Sequence, residues 1–240
     1  MSTREKPFLI VDAGNTSIKV AQVKNSQIQS VKRFDDISDA LGSISDTVVV
    51  CASVLNENFK QLVIDKGGQF HQVTHQSALP FGSAYRSMET IGIDRLCNVA
   101  GAMKTFESEH CLIVDIGTCI KFDFISAKNV YLGGSISPGI NLRYRALHEY
   151  TSKLPLIDSK ANASIIGDST ASSIHSGVIN GIIHEIQGMI LRYEKDFGQL
   201  KILITGGDAS YFEFPQKSNI FANKNLTLEG IVEIYEINAL

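Results

Sequence analysis

LIVDAGNTSIKV (residues 9–20) and LIVDIGTCIKFDF (residues 112–124) open on the same four letters and run into the same residue types. Each is an apolar run ending in Asp-x-Gly, with a Thr within the next two residues. Runs rich in β-branched residues bounded by turn residues read as strands. An Asp at the end of such a strand is held on rigid backbone. The glycine after it permits positive φ and lets the backbone approach a ligand. Successive N–H groups in such a turn form an anion-binding concavity. Lys19, on the strand leaving the first turn, can reach a phosphate. An ionised Asp only accepts hydrogen bonds, so Asp12 suits a hydrated Mg²⁺ better than the phosphate itself. One such loop alone reads as an ordinary hairpin with a turn-capping carboxylate. Two copies, joined by a third glycine-rich turn in KILITGG (201–207) and TGGDA, point to phosphate with a metal.

Working outward, strand-like runs fall at 8–13, 16–23, 28–34 and 47–52, with KNSQ as a hairpin turn between the second and third. NENFKQLVIDKGG reads as a short helix stopped by glycines. A connector over 76–90 leads into IGIDRLCNVAGAMKTF, where apolar residues recur at helical spacing. The pattern then restarts, with strands at 111–116, 119–125 and 129–136 and helices over 138–150 and 168–196. SKLPLIDSKANASIIGD is irregular, and LTLEGIVEIYEINAL closes the chain as a helix. The expectation is an α/β protein made of two duplicated halves, 1–110 and 111–240, facing each other across a cleft lined by the three loops.

Composition narrows the function. The 240 residues are 44% hydrophobic and carry 22 basic against 25 acidic side chains, a net charge of -3. That balance, with no Lys/Arg block, argues against a nucleic-acid or membrane-surface binder. The cysteines at 51, 97, 111 and 119 form no CxxC pair, so they read as reduced thiols in a cytoplasmic chain. The apolar run before Asp12 is too short for a signal-peptide core, and no run reaches the length of a membrane span. The histidines at 71, 75, 110, 148, 175 and 184 form no HExxH. GxSxG, the Walker loop and GxGxxG are all absent. GGSISPG, 133–139, reads either as a bland turn or as a loop approaching the site. In GIDR, 92–95, Asp94 is either a simple helix-start carboxylate or a base beside an anion-holding Arg95.

Taken together, these segments resemble the actin/sugar-kinase/heat-shock-ATPase superfamily, and within it the type III pantothenate kinases. DAGNTSIKVA, GIDR, DIGTC, GGSISPGINL with RAL and LP following, GDSTASSIHSGVINGI and ITGGDA occur in order over nearly the whole chain. The resemblance implies two ribonuclease-H-like (actin-like ATPase) halves, mixed β-sheets flanked by helices. It implies that Asp12, Ala13, Gly14, Asn15, Thr16, Ser17, Ile18 and Lys19 form the first ATP phosphate loop, with Asp12 near Mg²⁺, and that Thr118 also faces ATP. Asp115 corresponds to the ligand of an activating monovalent cation, K⁺ or NH₄⁺. Gly92, Ile93, Asp94 and Arg95 match the pantothenate-contacting GxDR, with Asp94 as catalytic base. Tyr85 matches a substrate-side tyrosine, and Thr170 a pantothenate-contacting threonine at a homodimer interface. One departure stands out: Cys119, Ile120 and Lys121 replace a commoner run of small residues and threonines.

The implied reaction is transfer of the ATP γ-phosphoryl group to the terminal hydroxyl of pantothenate. Positioning and charge neutralisation dominate such transfers. The rivals are a kinase for another small hydroxyl substrate, a noncatalytic regulator that kept the fold, and an actin-like filament subunit.

Overall fold

A computed structural model describes residues 7–13, 18–36, 39, 47–52, 57–214 and 217–239. Gly14, Asn15, Thr16 and Ser17 of the first loop lie outside the described residues. Two compact units emerge, one of residues 1–107, 129–131 and 225–240, the other of residues 108–128 and 132–224.

In the first unit β1 (Phe8–Ala13) pairs antiparallel with β2 (Ile18–Lys24), and β2 with β3 (Gln27–Phe34). The β2–β3 turn places Asn25 and Ser26 at φ 52° and 61°. Two central residues at positive φ make a hairpin turn whose twist matches that of the strands. On the other side of β1, β4 (Val48–Cys51) and β5 (Gln69–Gln72) add in parallel, giving the order β3-β2-β1-β4-β5. Strand alternation then sorts the side chains. Val11, Val20, Val49 and Cys51 pack with Phe59 and Val63 of α1 (Glu57–Asp65). Phe8, on the opposite face, meets Tyr235 at 4.9 Å between ring centroids. Asp12 has the parity of Phe8 and Ile10, and sits directly opposite Lys19 in register.

Two helices complete this unit, α2 (Ile93–Thr105) and the C-terminal helix (Leu226–Asn238). They meet where both present glycine. A Cβ at Gly101 would meet the Leu226 carbonyl oxygen at 2.5 Å, and one at Gly230 would run into the Cys97 carbonyl. Thr227 Oγ1 donates to Asn98 Oδ1 at 2.7 Å beside this crossing.

The second unit repeats the plan. β7 (Cys111–Ile116) pairs antiparallel with β8 (Cys119–Ile125), which neighbours β9 (Val130–Pro138). β10 (Lys201–Thr205) and β11 (Ile220–Ala222) add in parallel beyond β7. The order β11-β10-β7-β8-β9 is that of the first sheet strand for strand. Leu112, Val114, Ile116, Ile120, Phe122 and Phe124 face one core with α3 (Ile140–Glu149) and the helical run of α4 (Thr170–His175), a π turn (Ser176–Asn180) and α5 (Gly181–Phe197). Asp115, Lys121 and Asp123 take the other face, with Asp115 opposite Lys121 and Ile113 opposite Asp123. The last helix is α6.

Three details depart from the sequence expectations. The units do not follow one cut at residue 110, because α6 packs on α2 and returns the chain's end to the first unit. The first residues of β9 also belong there, through the two-residue strand β6 (Gly82–Ser83), which pairs with Val130 and Tyr131. β5 and β11 lie outside the strands expected. QFHQ is a mostly exposed edge strand and IFA has three residues, so neither carries a strong apolar pattern.

Candidate functional site

In the first unit the helix start around GIDR gathers the expected residues. Gly92 is the N-cap of α2, which puts Asp94 in its first turn, where a carboxylate is favoured by the free N–H groups and the helix dipole. The backbone of Gly92 is extended, at φ -61° and ψ 131°, so its conformation does not demand glycine. A Cβ there would fall on Asp94 Oδ1, which curls back over the cap, so a side chain at 92 would require the Asp94 carboxylate to turn away.

Cys97, one turn further along α2, reports on what surrounds it. Its thiol is pushed well above the usual range, first by burial, then by the negative charges of Asp12 and Asp94. The end of β1 and the start of α2 therefore lie near enough to this thiol for the charges of both carboxylates to act on it. Lys19, across from Asp12, belongs to the same strand pair. Ala13 and Ile18 close the described part of that hairpin, in register with each other.

Arg95 is 4% exposed and is held rigidly. Its Nη2 donates to the Tyr131 hydroxyl at 2.9 Å, and its guanidinium carbon lies 5.8 Å from the centroid of the Tyr85 ring. The Tyr85 and Tyr131 rings are 5.8 Å apart, so Arg95 and the two tyrosines form one cluster. The β6–β9 pairing builds it, with Ala84 N–H donating to the Tyr131 carbonyl at 2.9 Å. Tyr131 was missed in the sequence, since it stands outside every motif. Its only signal is an aromatic residue in a short run before Gly133-Gly134.

In the second unit the turn Gly117-Thr118 joins β7 to β8 and leaves Thr118 exposed. GGSISPG does approach this loop: Gly139 N–H donates to the Thr118 carbonyl at 3.0 Å, and a Cβ at Gly139 would run into the Gly117 carbonyl. TGGDA joins from the other side. Gly206 takes φ +102°, a conformation L side chains rarely adopt, a Cβ there would run into the Ile116 carbonyl, and Asp208 N–H donates to the same carbonyl at 2.9 Å. The three glycine-bearing segments 116–118, 139 and 206–208 are thus tied by backbone hydrogen bonds.

Two carboxylates meet here. Asp208 is pushed above the usual Asp range, first by burial and then by the charge of Asp115. Asp115 forms an ion pair with Lys121, Oδ2 to Nζ 2.8 Å, in side chains 13% and 17% exposed. Asp208 was not singled out from sequence, and Lys121 only as part of a departure from the commoner motif, with no partner assigned to it. Thr170 stands elsewhere in this unit, exposed at the first position of α4 behind the Ser169/Ser172 capping box.

Among the described residues no three His, Cys, Asp or Glu side chains converge as a metal cluster. A single strand-end carboxylate fits Mg²⁺, which is bound through one or two carboxylates, water and substrate phosphates. Asp115 fits a monovalent cation less well, because an ammonium already contacts it.

Comparison with known proteins agrees in kind. The sequence model of the type III pantothenate kinase family matches residues 8–192. A type III pantothenate kinase of Flavobacterium johnsoniae is 41% identical over 239 residues, 95% of this chain and 97% of that protein. That of Christiangramia forsetii is 38% identical over 239 residues, 96% and 98% of the two chains. Among solved structures, a Baf family transcriptional activator from Campylobacter jejuni superposes with TM-score 0.64 at 22% identity, covering 97% of this chain and 99% of its own. A 2-dehydro-3-deoxygalactonokinase from Sinorhizobium meliloti gives TM-score 0.58 at 12% identity, covering 96% and 97%. At those identities the structures speak for the fold alone, two mixed sheets of the actin-like and sugar-kinase kind.

Proposed function

As the chain belongs to the type III pantothenate kinase family, we propose that it transfers the γ-phosphoryl group of ATP to the terminal hydroxyl of pantothenate. The product is 4′-phosphopantothenate, the first step of coenzyme A biosynthesis. The observation that supports the reading is the GIDR helix start, where Asp94 lies in the first turn of α2 and the buried Arg95 beside it donates to the Tyr131 hydroxyl.

Phosphoryl transfer through a loose transition state asks the protein for positioning and charge rather than for covalent chemistry. Asp94 orients the pantothenate hydroxyl and accepts its proton late, so an ordinary carboxylate is basic enough. Arg95, fixed by Tyr131 and stacked near Tyr85, offers a pre-set guanidinium to the pantothenate carboxylate. Gly92 and Ile93 set the backbone at that helix start, and Gly92 leaves room for the Asp94 carboxylate. Thr170 contacts the substrate from a homodimer interface. Lys19 and the loop from Asp12 to Ile18, with Thr118, hold the ATP phosphates. Asp12 is the residue that would hold a hydrated Mg²⁺. When bound, that ion offsets phosphate charge. The enzyme acts in the cytoplasm, in keeping with described helices none of which is long and apolar enough to cross a membrane.

The test is ADP release from ATP, with and without pantothenate, in Mg²⁺ buffer. Turnover should depend on pantothenate, and Asp94→Asn should fold, retain ATP binding and lose on the order of a hundred- to ten-thousand-fold in rate. Near-normal turnover in that variant would remove Asp94 from the mechanism. Turnover on a sugar or acetate instead of pantothenate would reassign the substrate.

A further inference from the structure

The Asp115–Lys121 pair is built by the fold. β7 and β8 are joined by a two-residue turn, so their register is set, and the two residues stand directly opposite on one face. The contact is 2.8 Å long and largely shielded, with the Asp side chain 13% and the Lys side chain 17% exposed. Asp115 is also close enough to Asp208 for its charge to raise that carboxyl, and Asp123, fully buried, lies on the Lys121 face two residues along β8. A group of carboxylates beside a phosphate-binding loop needs positive charge, since ATP brings more negative charge to it. Lys121 supplies one unit of it on a covalent tether. The first unit shows the same register, with Lys19 opposite Asp12.

We infer that Lys121 is the resident counter-ion of the second phosphate loop, its ammonium taking the place at Asp115 that a free K⁺ or NH₄⁺ would take, so that turnover needs no monovalent cation. This rests on the kinase reading above. A lysine head group is an ammonium ion with one hydrogen replaced by carbon: compact, singly charged and a donor of three hydrogen bonds. Being part of the chain, it is present at fixed effective concentration whatever the salt. A second monocation on the same carboxylate would stand against it as a like charge in a partly desolvated site, where repulsion is poorly screened. Truncating Lys121 leaves Asp115 beside Asp208 with that cation missing, and so creates a site for a free ion of the same charge.

The experiment measures pantothenate-dependent ADP release at constant ionic strength in KCl, NH₄Cl, NaCl and choline chloride, for wild type and Lys121→Ala. Wild-type turnover should be equal in all four salts. Lys121→Ala should fall on the order of a hundred-fold in choline and recover in K⁺ or NH₄⁺. Thermal unfolding of the ligand-free proteins in the same salts gives a readout independent of turnover. Only Lys121→Ala should gain a shift specific to K⁺ or NH₄⁺. Wild-type turnover that collapses in choline and returns with K⁺ overturns the inference, and this arm decides the matter even if the variant does not fold. If wild type shows no pantothenate-dependent turnover in any salt, the kinase reading fails. The melting comparison then judges the counter-ion: a K⁺-specific shift confined to the variant supports it, and equal shifts, or none in either protein, overturn it.

Discussion

Asp208 shows how one carboxyl can carry a testable signature. Burial and the neighbouring charge of Asp115 raise it above the usual Asp range. The folded protein therefore binds this proton more tightly than the unfolded chain does. The contribution favours folding below the unfolded Asp value of about 3.9 and is lost as pH rises through the higher folded value. Asp208→Asn is neutral throughout, so it should melt higher than wild type near neutral pH, and the gap should shrink as pH falls into the carboxyl range. Thermal melts across that range check the sign; a gap that widens on acidification would show that Asp208 is stabilised as an anion. Cys97 and Cys111 carry the complementary information. Burial raises both, Cys111 to about 12, so these thiols are packing groups rather than nucleophiles.

At the scale of elements, the α2–α6 crossing sets the position of GIDR. The helix that begins at Gly92 is buried along Arg95 to Ala102 and presses against α6 at two glycines. The approach leaves no room for a side chain. Gly230→Ala forces its methyl group into the Cys97 carbonyl, a backbone atom that cannot swing aside. Overpacking of this kind typically destabilises by about 1–3 kcal/mol. Urea unfolding of Gly230→Ala should show a lower midpoint with an unchanged slope. An unchanged midpoint would mean that the two helices separate at little cost. The β7–β8 hairpin obeys a different control, since its two-residue turn sets the register that places Lys121 opposite Asp115.

For the molecule as a whole, the open question is assembly. Leu156, Ile165 and Ile166 are 56%, 72% and 80% exposed in the irregular stretch that leads to Thr170. Adjacent exposed apolar residues of this size commonly mark an interaction surface. Light scattering should therefore report a dimer of the 26.2 kDa chain. The double change Ile165→Asp, Ile166→Asp should yield the single-chain mass, and a dimer that survives it would place the interface elsewhere. Charge at this scale stays unspecialised, with 22 basic and 25 acidic residues and no basic block.

Much of this protein was legible in one dimension because its information is local. β1, β7 and the helix of GIDR fall where periodicity and turn residues put them, and the repeated Asp-x-Gly pattern announced two sheets that proved to share one strand order. The local placement of Asp12 and Asp115 at strand ends and of Asp94 at a helix start was equally legible, since turn and cap residues next to each carboxylate set it. Contacts between distant segments were not legible. Tyr131 reaches Arg95 only because a two-residue strand, β6, pairs with the start of β9. α6 belongs with the first unit only because glycines at 101 and 230 let two helices touch. Lys121 read as a departure from a motif until register set its ammonium on Asp115. Periodicity and turn chemistry act within a few residues, so the sequence alone determined the elements and the loop chemistry. Pairing and packing depend on which surfaces meet after the chain has folded, so only the tertiary structure decided the partners.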